Sequence, residues 1–183
     1  MAISDVKSWG SAVVFPVCMR AGGTISAGLV LSQICYFFER QKKGGKRPID
    51  QGYAKKWVNP LKLLEKERLA LADDLHNLRR RRFLMPAELR QELLAMSAKA
   101  LEDNPKTKGY IEFLALPPDR LQTRLDLAAS TIAAALKRLR NTGMIYQVKG
   151  NNRWLKQRNA TIVRPRWIEI FRVANGGGFN LYV

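Results

Sequence analysis

Residues 119–152 read DRLQTRLDLAASTIAAALKRLRNTGMIYQVKGNN, and the fold is decided by how this stretch is parsed. Leu121 and Leu125 recur at helical spacing, which predicts a helix over 119–126. A turn is expected over 127–129, and Ser130 then stands where an N-cap is preferred, opening a helix that runs to Asn141. Gly143 ends that helix, since glycine tolerates the left-handed conformation that closes many helices. Met144 to Val148 is strand-like, Gly150, Asn151 and Asn152 have hairpin-tip composition, and strand character returns at Thr161 to Val163. The order helix, turn, helix, hairpin is the order of a helix-turn-helix followed by a wing.

At 3.6 residues per turn, Ile132, Ala135, Leu136 and Leu139 of the second helix point inward. Ser130, Ala134, Lys137, Arg138 and Asn141 point outward, with Thr131 and Ala133 on the exposed flank of the first turns. Small residues let such a helix approach the floor of a DNA major groove, where hydroxyls reach base edges and alanine methyls meet thymine methyls. Ala133 to Ala135 also suit a helix on propensity alone. Lys137 and Arg138 are expected to meet backbone phosphates, and the wing to add Lys149, Asn151, Asn152, Arg153, Lys156 and Arg158. Trp154 reads as a core residue at the base of the wing.

The charge agrees with this reading. The 183-residue chain carries 32 Lys plus Arg against 15 Asp plus Glu, a formal charge of +17, and 46% of its residues are hydrophobic. It is therefore apolar enough to fold and basic enough to need a polyanion: nucleic acid, an acidic protein or an anionic surface. Between Asp126 and Glu169 no acidic residue occurs, whereas Lys137, Arg138, Arg140, Lys149, Arg153, Lys156, Arg158, Arg164 and Arg166 are all cationic. A solvated surface usually mixes both signs, so an acid-free window over a helix and its hairpin points to phosphate.

Further out, the reading is coarser. Trp9, Val13, Val14, Phe15 and Val17 with Pro16 suggest a short strand or arm. After Gly22 and Gly23, Thr24 or Ser26 can cap a helix carrying Leu29, Val30, Leu31, Ile34, Cys35, Phe37 and Phe38, which ends by Gly44 and Gly45. The basic 42–47 segment reads as a surface loop, either a solvated turn or a phosphate contact. A short helix over 53–57, a turn at 58–60 and a long helix with Leu64, Leu71, Leu75 and Leu78 repeat the helix-turn-helix order, and another helix covers 87–102. The polar, breaker-rich 103–109 stretch marks a boundary, which gives an N-terminal unit at 1–103 and a C-terminal unit at 104–183. Tyr110 to Leu116 reads as a strand, 167–173 as an apolar element, 176–178 as a flexible loop and 179–183 as a last strand.

The string from Leu127 to Ile145, with Ser130, Thr131, Lys137, Arg138 and Gly143, resembles the helix-turn-helix and wing start of bacterial winged-helix DNA-binding proteins. Leu31 to Phe38, Trp57 and the 71–84 stretch are similar to N-terminal winged-helix segments of phage and plasmid replication proteins. The resemblance implies a mainly α fold with small β-hairpin wings, an α+β tandem winged helix-turn-helix, binding double-stranded DNA as a transcriptional regulator or replication initiator of a phage, plasmid or mobile element. Outward positions of the long helix that closes at Arg79 to Arg82 include Leu69, Asp73 and His76 beside Lys62 and Lys66, which suits a protein contact and assigns the N-terminal unit to self-association as a homodimer or to partner binding, a second DNA module being its alternative.

Other classes are excluded or weakly supported. One histidine, His76, and two cysteines, Cys18 and Cys35, cannot build a His/Cys zinc cluster within one chain, and the cysteines read as buried, reduced thiols. Gly44, Gly45 and Lys46 lack the spacing and hydroxyl of a phosphate loop, and Asp73 and Asp74 diverge by about 100° on a helix. No catalytic residue, metal or cofactor is expected. Nor is a membrane partner, since no run reaches the ~20 apolar residues of a spanning helix, and the expected location is cytoplasmic, on the nucleoid. The rival reading is a non-enzymatic inhibitor or assembly factor whose basic face meets an acidic protein.

Overall fold

A computed structural model describes residues 7–9, 12–40, 54–60, 85–116, 118–152 and 157–181. The loop expected at 42–47, the long helix expected to carry Leu64, Leu71, Leu75 and Leu78 and to close at Arg79 to Arg82, and Trp154 lie outside the described residues. Strands β1 (Lys7–Trp9) and β2 (Ala12–Val14) pair antiparallel, with Lys7 opposite Val14. Where the sequence suggests a short strand or arm, the chain forms these strands and then helix α1 (Pro16–Gly22). Proline suits that first helical position because its missing N–H would have had no partner there. Gly23, at φ +68°, turns the chain into α2 (Ile25–Arg40), and the Thr24 hydroxyl caps it by accepting the Ala27 N–H at 3.2 Å.

The α1–α2 corner depends on missing side chains. A Cβ on Gly28 would stand 2.8 Å from the Met19 Cα, and one on Gly22 would stand 2.3 Å from the Gly28 backbone nitrogen. Both obstacles are backbone, so neither can rotate away. Gly28→Ala is expected to cost about 1–3 kcal/mol of unfolding free energy, the usual penalty of overpacking, measured by urea denaturation. An unchanged midpoint would show that the two helices can separate freely. Cys18 and Cys35 are buried free thiols in this pair; burial above all, then the Cys18 thiol and Glu39, push the Cys35 pKa well above the usual thiol range.

By internal contacts the chain forms two compact units, Met1–Lys55 with Leu114–Val183, and Lys56–Phe113. This differs from a division between residues 103 and 104. The apolar face of α2 is buried with the C-terminal elements and belongs to their core.

In the second unit, a helix expected over 53–57 is instead strand β3 (Ala54–Val58). Trp57 and Val58 favour extended backbone, and Asn59 is biased the same way by Pro60. Helix α3 (Ala87–Asp103) buries Leu89, Leu93 and Ser97, a stripe at four-residue spacing. The Ser97 hydroxyl donates to the Gly109 carbonyl at 2.6 Å across the short helical turn Pro105–Thr107. Strand β4 (Ile111–Leu116) follows.

In the first unit, Leu114 to Leu116 of β4 continue into helices α4 (Pro118–Leu125) and α5 (Ala129–Asn141), strands β5 (Ile145–Asn152) and β6 (Gln157–Pro165), and helix α6 (Trp167–Ala174). Strand β6 is central in an antiparallel sheet, with Leu114 opposite Val163 on one side and Gln147 opposite Val163 on the other. Helix α2 packs on α5 and β6, and α1 on α6. Leu31, Ile34, Phe37, Leu121, Leu139, Ile145 and Val163 share one core. Buried Ser32 is satisfied within it: its Oγ donates to the Gly28 carbonyl (2.8 Å) and accepts the Phe15 N–H (3.2 Å). The described residues are thus mainly helical with a small antiparallel sheet. Residues 175–181 follow α6 without regular structure, so the last strand expected from 179 does not form through Leu181.

Candidate nucleic-acid interface

Asp126 adopts φ +51° at the end of α4, a conformation its short polar side chain tolerates, and this redirects the chain into α5. Helix α5 starts two residues earlier than a Ser130 cap implies. Ala128 occupies the cap position without a side-chain bond, and Ser130 lies in the first turn. Its hydroxyl is therefore not consumed as a cap.

The two faces of α5 fall as helical periodicity dictates. Ile132, Ala135 and Leu139 are buried and Leu136 is half-buried, whereas Ser130, Ala133, Ala134 and Lys137 are exposed and Thr131 is half-exposed. The outer face is thus small and hydroxyl-bearing over two turns, with one lysine beyond. Gly143, at φ +68°, closes the helix, and the Met144 N–H donates to the Leu139 carbonyl at 2.8 Å. The hairpin therefore follows directly. Lys149 lies opposite Thr161 and Asn152 opposite Gln157, with a bulge between Gly150 and Asn152. Lys149, Asn151, Asn152 and Arg158 are on the hairpin strands, but their side chains, and Arg153 and Lys156 entirely, lie outside the described residues.

Several cations of the acid-free window are committed to the protein itself. Arg138 Nε donates to the Gly22 carbonyl at 2.9 Å, and its guanidinium carbon stands 5.4 Å from the Phe179 ring centre. Arg138 thus turns toward the α1–α2 corner rather than outward, as helical spacing alone would place it. Arg140 is buried, which lowers its pKa, and its Nε and Nη2 donate to Asn141 Oδ1 at 3.3 Å, so Asn141 is engaged as well. Arg164 lies 5.2 Å over the Phe38 ring. Arg166 Nη1 donates to the Gly143 carbonyl at 3.4 Å and pairs with Glu169 at 3.5 Å. Net charge overstates the cations available to a ligand. Lys137 on α5 and Arg120 on α4 are exposed.

Two arrangements went unread in the sequence. Gln33, fully buried in α2, donates through Nε2 to the Val13 carbonyl at 2.6 Å and accepts from Arg124 Nε at 2.9 Å, while Arg124 lies 5.0 Å over the Phe37 ring. A glutamine inside the apolar run of α2 was the available signal. Glu169 gathers Arg166, Arg172 and Asn180, and its place as the single acid after Asp126 marks it. Among the described residues, no group of three His, Cys, Asp or Glu side chains is placed to hold a metal ion, and no helix is long and apolar enough to cross a membrane. No family model, curated protein or solved structure matches the chain.

Proposed function

We propose that this protein is a double-stranded DNA-binding protein that lays α5 in the major groove and the β5–β6 hairpin beside it. In this reading α2, β4, α4, α5 and the hairpin make one winged helix, and the chain serves a phage, plasmid or other mobile element as transcriptional regulator or replication initiator. It has no catalytic role. One observation carries the reading: the exposed face of α5 is small and hydroxyl-bearing and runs straight into an antiparallel hairpin, inside a window from 127 to 168 without an acidic residue. Ser130, Thr131, Ala133 and Ala134 would read base edges, Lys137 a phosphate, and Lys149, Asn151, Asn152, Arg153, Lys156 and Arg158 the flanking backbone. A two-fold pair of copies would read a repeated or palindromic site.

Binding to a mixed-sequence duplex should weaken with salt at a log–log slope of roughly 0.9 per phosphate neutralised. Lys137→Ala should lower affinity for all sequences and flatten that slope by about 1, whereas Thr131→Ala should change which sequence is preferred. A salt-independent affinity, or both variants behaving as wild type, would overturn the assignment of α5. The exposure of Ile25 and Ile168 favours as a second reading a protein partner, an acidic one given the chain's net charge of +17. That reading requires no duplex binding even at low salt.

A further inference from the structure

Arg138 lies four residues beyond exposed Ala134 and beside exposed Lys137, at the edge of the face assigned to DNA. Its guanidinium is wedged into a slot made by glycine. A Cβ on Gly23 would stand 2.6 Å from Arg138 Nη2 and 2.8 Å from the Phe179 ring. One wall of the slot is the α1–α2 corner, where the Gly22 carbonyl accepts from Arg138 Nε, and the other is the ring of Phe179, on a segment that follows α6.

That segment is lightly held. Gly176, at φ +95°, has no neighbour near its Cα that a side chain would meet, and Gly178 has none either. Its start is fixed by backbone bonds, the Gly176 N–H donating to the Val173 carbonyl at 3.1 Å and the Gly177 N–H to the Arg172 carbonyl at 3.0 Å; beyond Gly177 the anchors are the Arg172 Nη2 donating to the Gly178 carbonyl at 2.7 Å and Asn180 Nδ2 to Glu169 Oε1 at 3.3 Å. Phe179 remains 41% exposed and Leu181 75% exposed, so little apolar burial opposes lifting the segment. Residues 175–183 contain no charged side chain. The cation therefore faces a neutral ring where a phosphate would offer a full charge and a charge-assisted hydrogen bond, the stronger of the two interactions.

We infer that residues 176–181 form a displaceable strap whose Phe179 ring occupies Arg138, so that strap closure and duplex DNA compete for the same guanidinium. The inference rests on the DNA-binding reading above. Arg138 is then a phosphate contact of the opened state, and the strap weakens binding to any duplex that does not displace it.

The test uses the full chain and a fluorescent mixed-sequence duplex across a salt series. Phe179→Ala should bind about two- to fivefold more tightly, the equivalent of one exposed cation–π contact, with a slope steeper by about 0.9. Phe179→Leu, which keeps apolar bulk without the aromatic face, should do the same and guards against a folding defect in the alanine variant. Neither change should alter affinity when Arg138 is already alanine. Hydrogen exchange at the amides of 178–181 should speed up when the wild-type protein binds duplex. Unchanged affinity in both Phe179 variants, a gain that survives Arg138→Ala, or slower exchange of the segment on binding would overturn the strap while leaving α5 as a DNA reader. No duplex binding by wild type or variants at low salt would overturn both.

Discussion

Leu31→Ala is expected to lower the unfolding free energy by about 2–5 kcal/mol, although Leu31 lies some ninety residues before the helix-turn-helix. Leu31 is fully buried in the core that also contains Leu121, Leu139, Ile145 and Val163. Truncation removes the transfer energy of the lost atoms and leaves a cavity that two packed helices and a sheet cannot fill. By the same physics, a fragment of residues 104–183 should show no cooperative urea transition. Without α2 it would expose the inner faces of α5 and β6, which α2 covers in the full chain. Equilibrium unfolding followed by circular dichroism tests both. A Leu31→Ala loss below about 0.5 kcal/mol, the range of ordinary surface substitutions, or a fragment that melts cooperatively, would restore a domain boundary at 103/104 and undo the two-unit description.

Local periodicity made the segments of this core legible but not their pairing. The inward stripe of α5 and the apolar face of α2 both follow from 3.6-residue spacing, and both are buried as expected. What periodicity lacks is an address: it says that a face is covered, not that α2 covers α5 across nearly a hundred residues. Short elements failed for a different reason. Helix α1 spans seven residues, two turns, too few to display a stripe, and its Pro16 reads as a breaker unless it is known to stand first. At 54–58 the extended preference of Trp57 and Val58 prevailed over an apparent helix-turn-helix order.

The candidate interface was legible in the same partial way. Counting charges located the window from 127 to 168, and the wheel found the exposed small residues of α5. Neither could show that Arg138, Arg140, Arg164 and Arg166 spend their guanidinium groups on carbonyls, an amide, a ring and a carboxylate. Arginine reaches far and bonds in a planar fork, so its partners are set by tertiary structure rather than by neighbours in sequence. The exception is Arg166, Glu169 and Arg172, whose three-residue spacing on α6 already places the two cations beside the acid.

Glu169→Ala is expected to destabilise the protein by up to about 3 kcal/mol, the low end for breaking a buried ion pair. The carboxylate is 3% exposed and accepts from Arg172 Nε at 3.0 Å and Asn180 Nδ2 at 3.3 Å, with Arg166 Nη1 3.5 Å away. Its loss removes the ion pair of Arg166, whose side chain is 12% exposed but still donates to the Gly143 carbonyl, and Arg172 at 37% keeps access to water, which holds the cost below that of a fully enclosed pair. Glu169→Gln, retaining the shape and one acceptor, should fall between wild type and alanine. A second consequence separates this site from ordinary packing. Removing the carboxylate raises the net charge from +17 to +18 and releases the Asn180 anchor of the strap. The alanine variant should therefore unfold at lower urea yet bind duplex DNA more tightly at low salt, with faster hydrogen exchange over 178–181. A simple loss of stability moves affinity the other way or leaves it alone, so parallel falls in stability and affinity would mean that Glu169 only holds α6 together and does not restrain the strap.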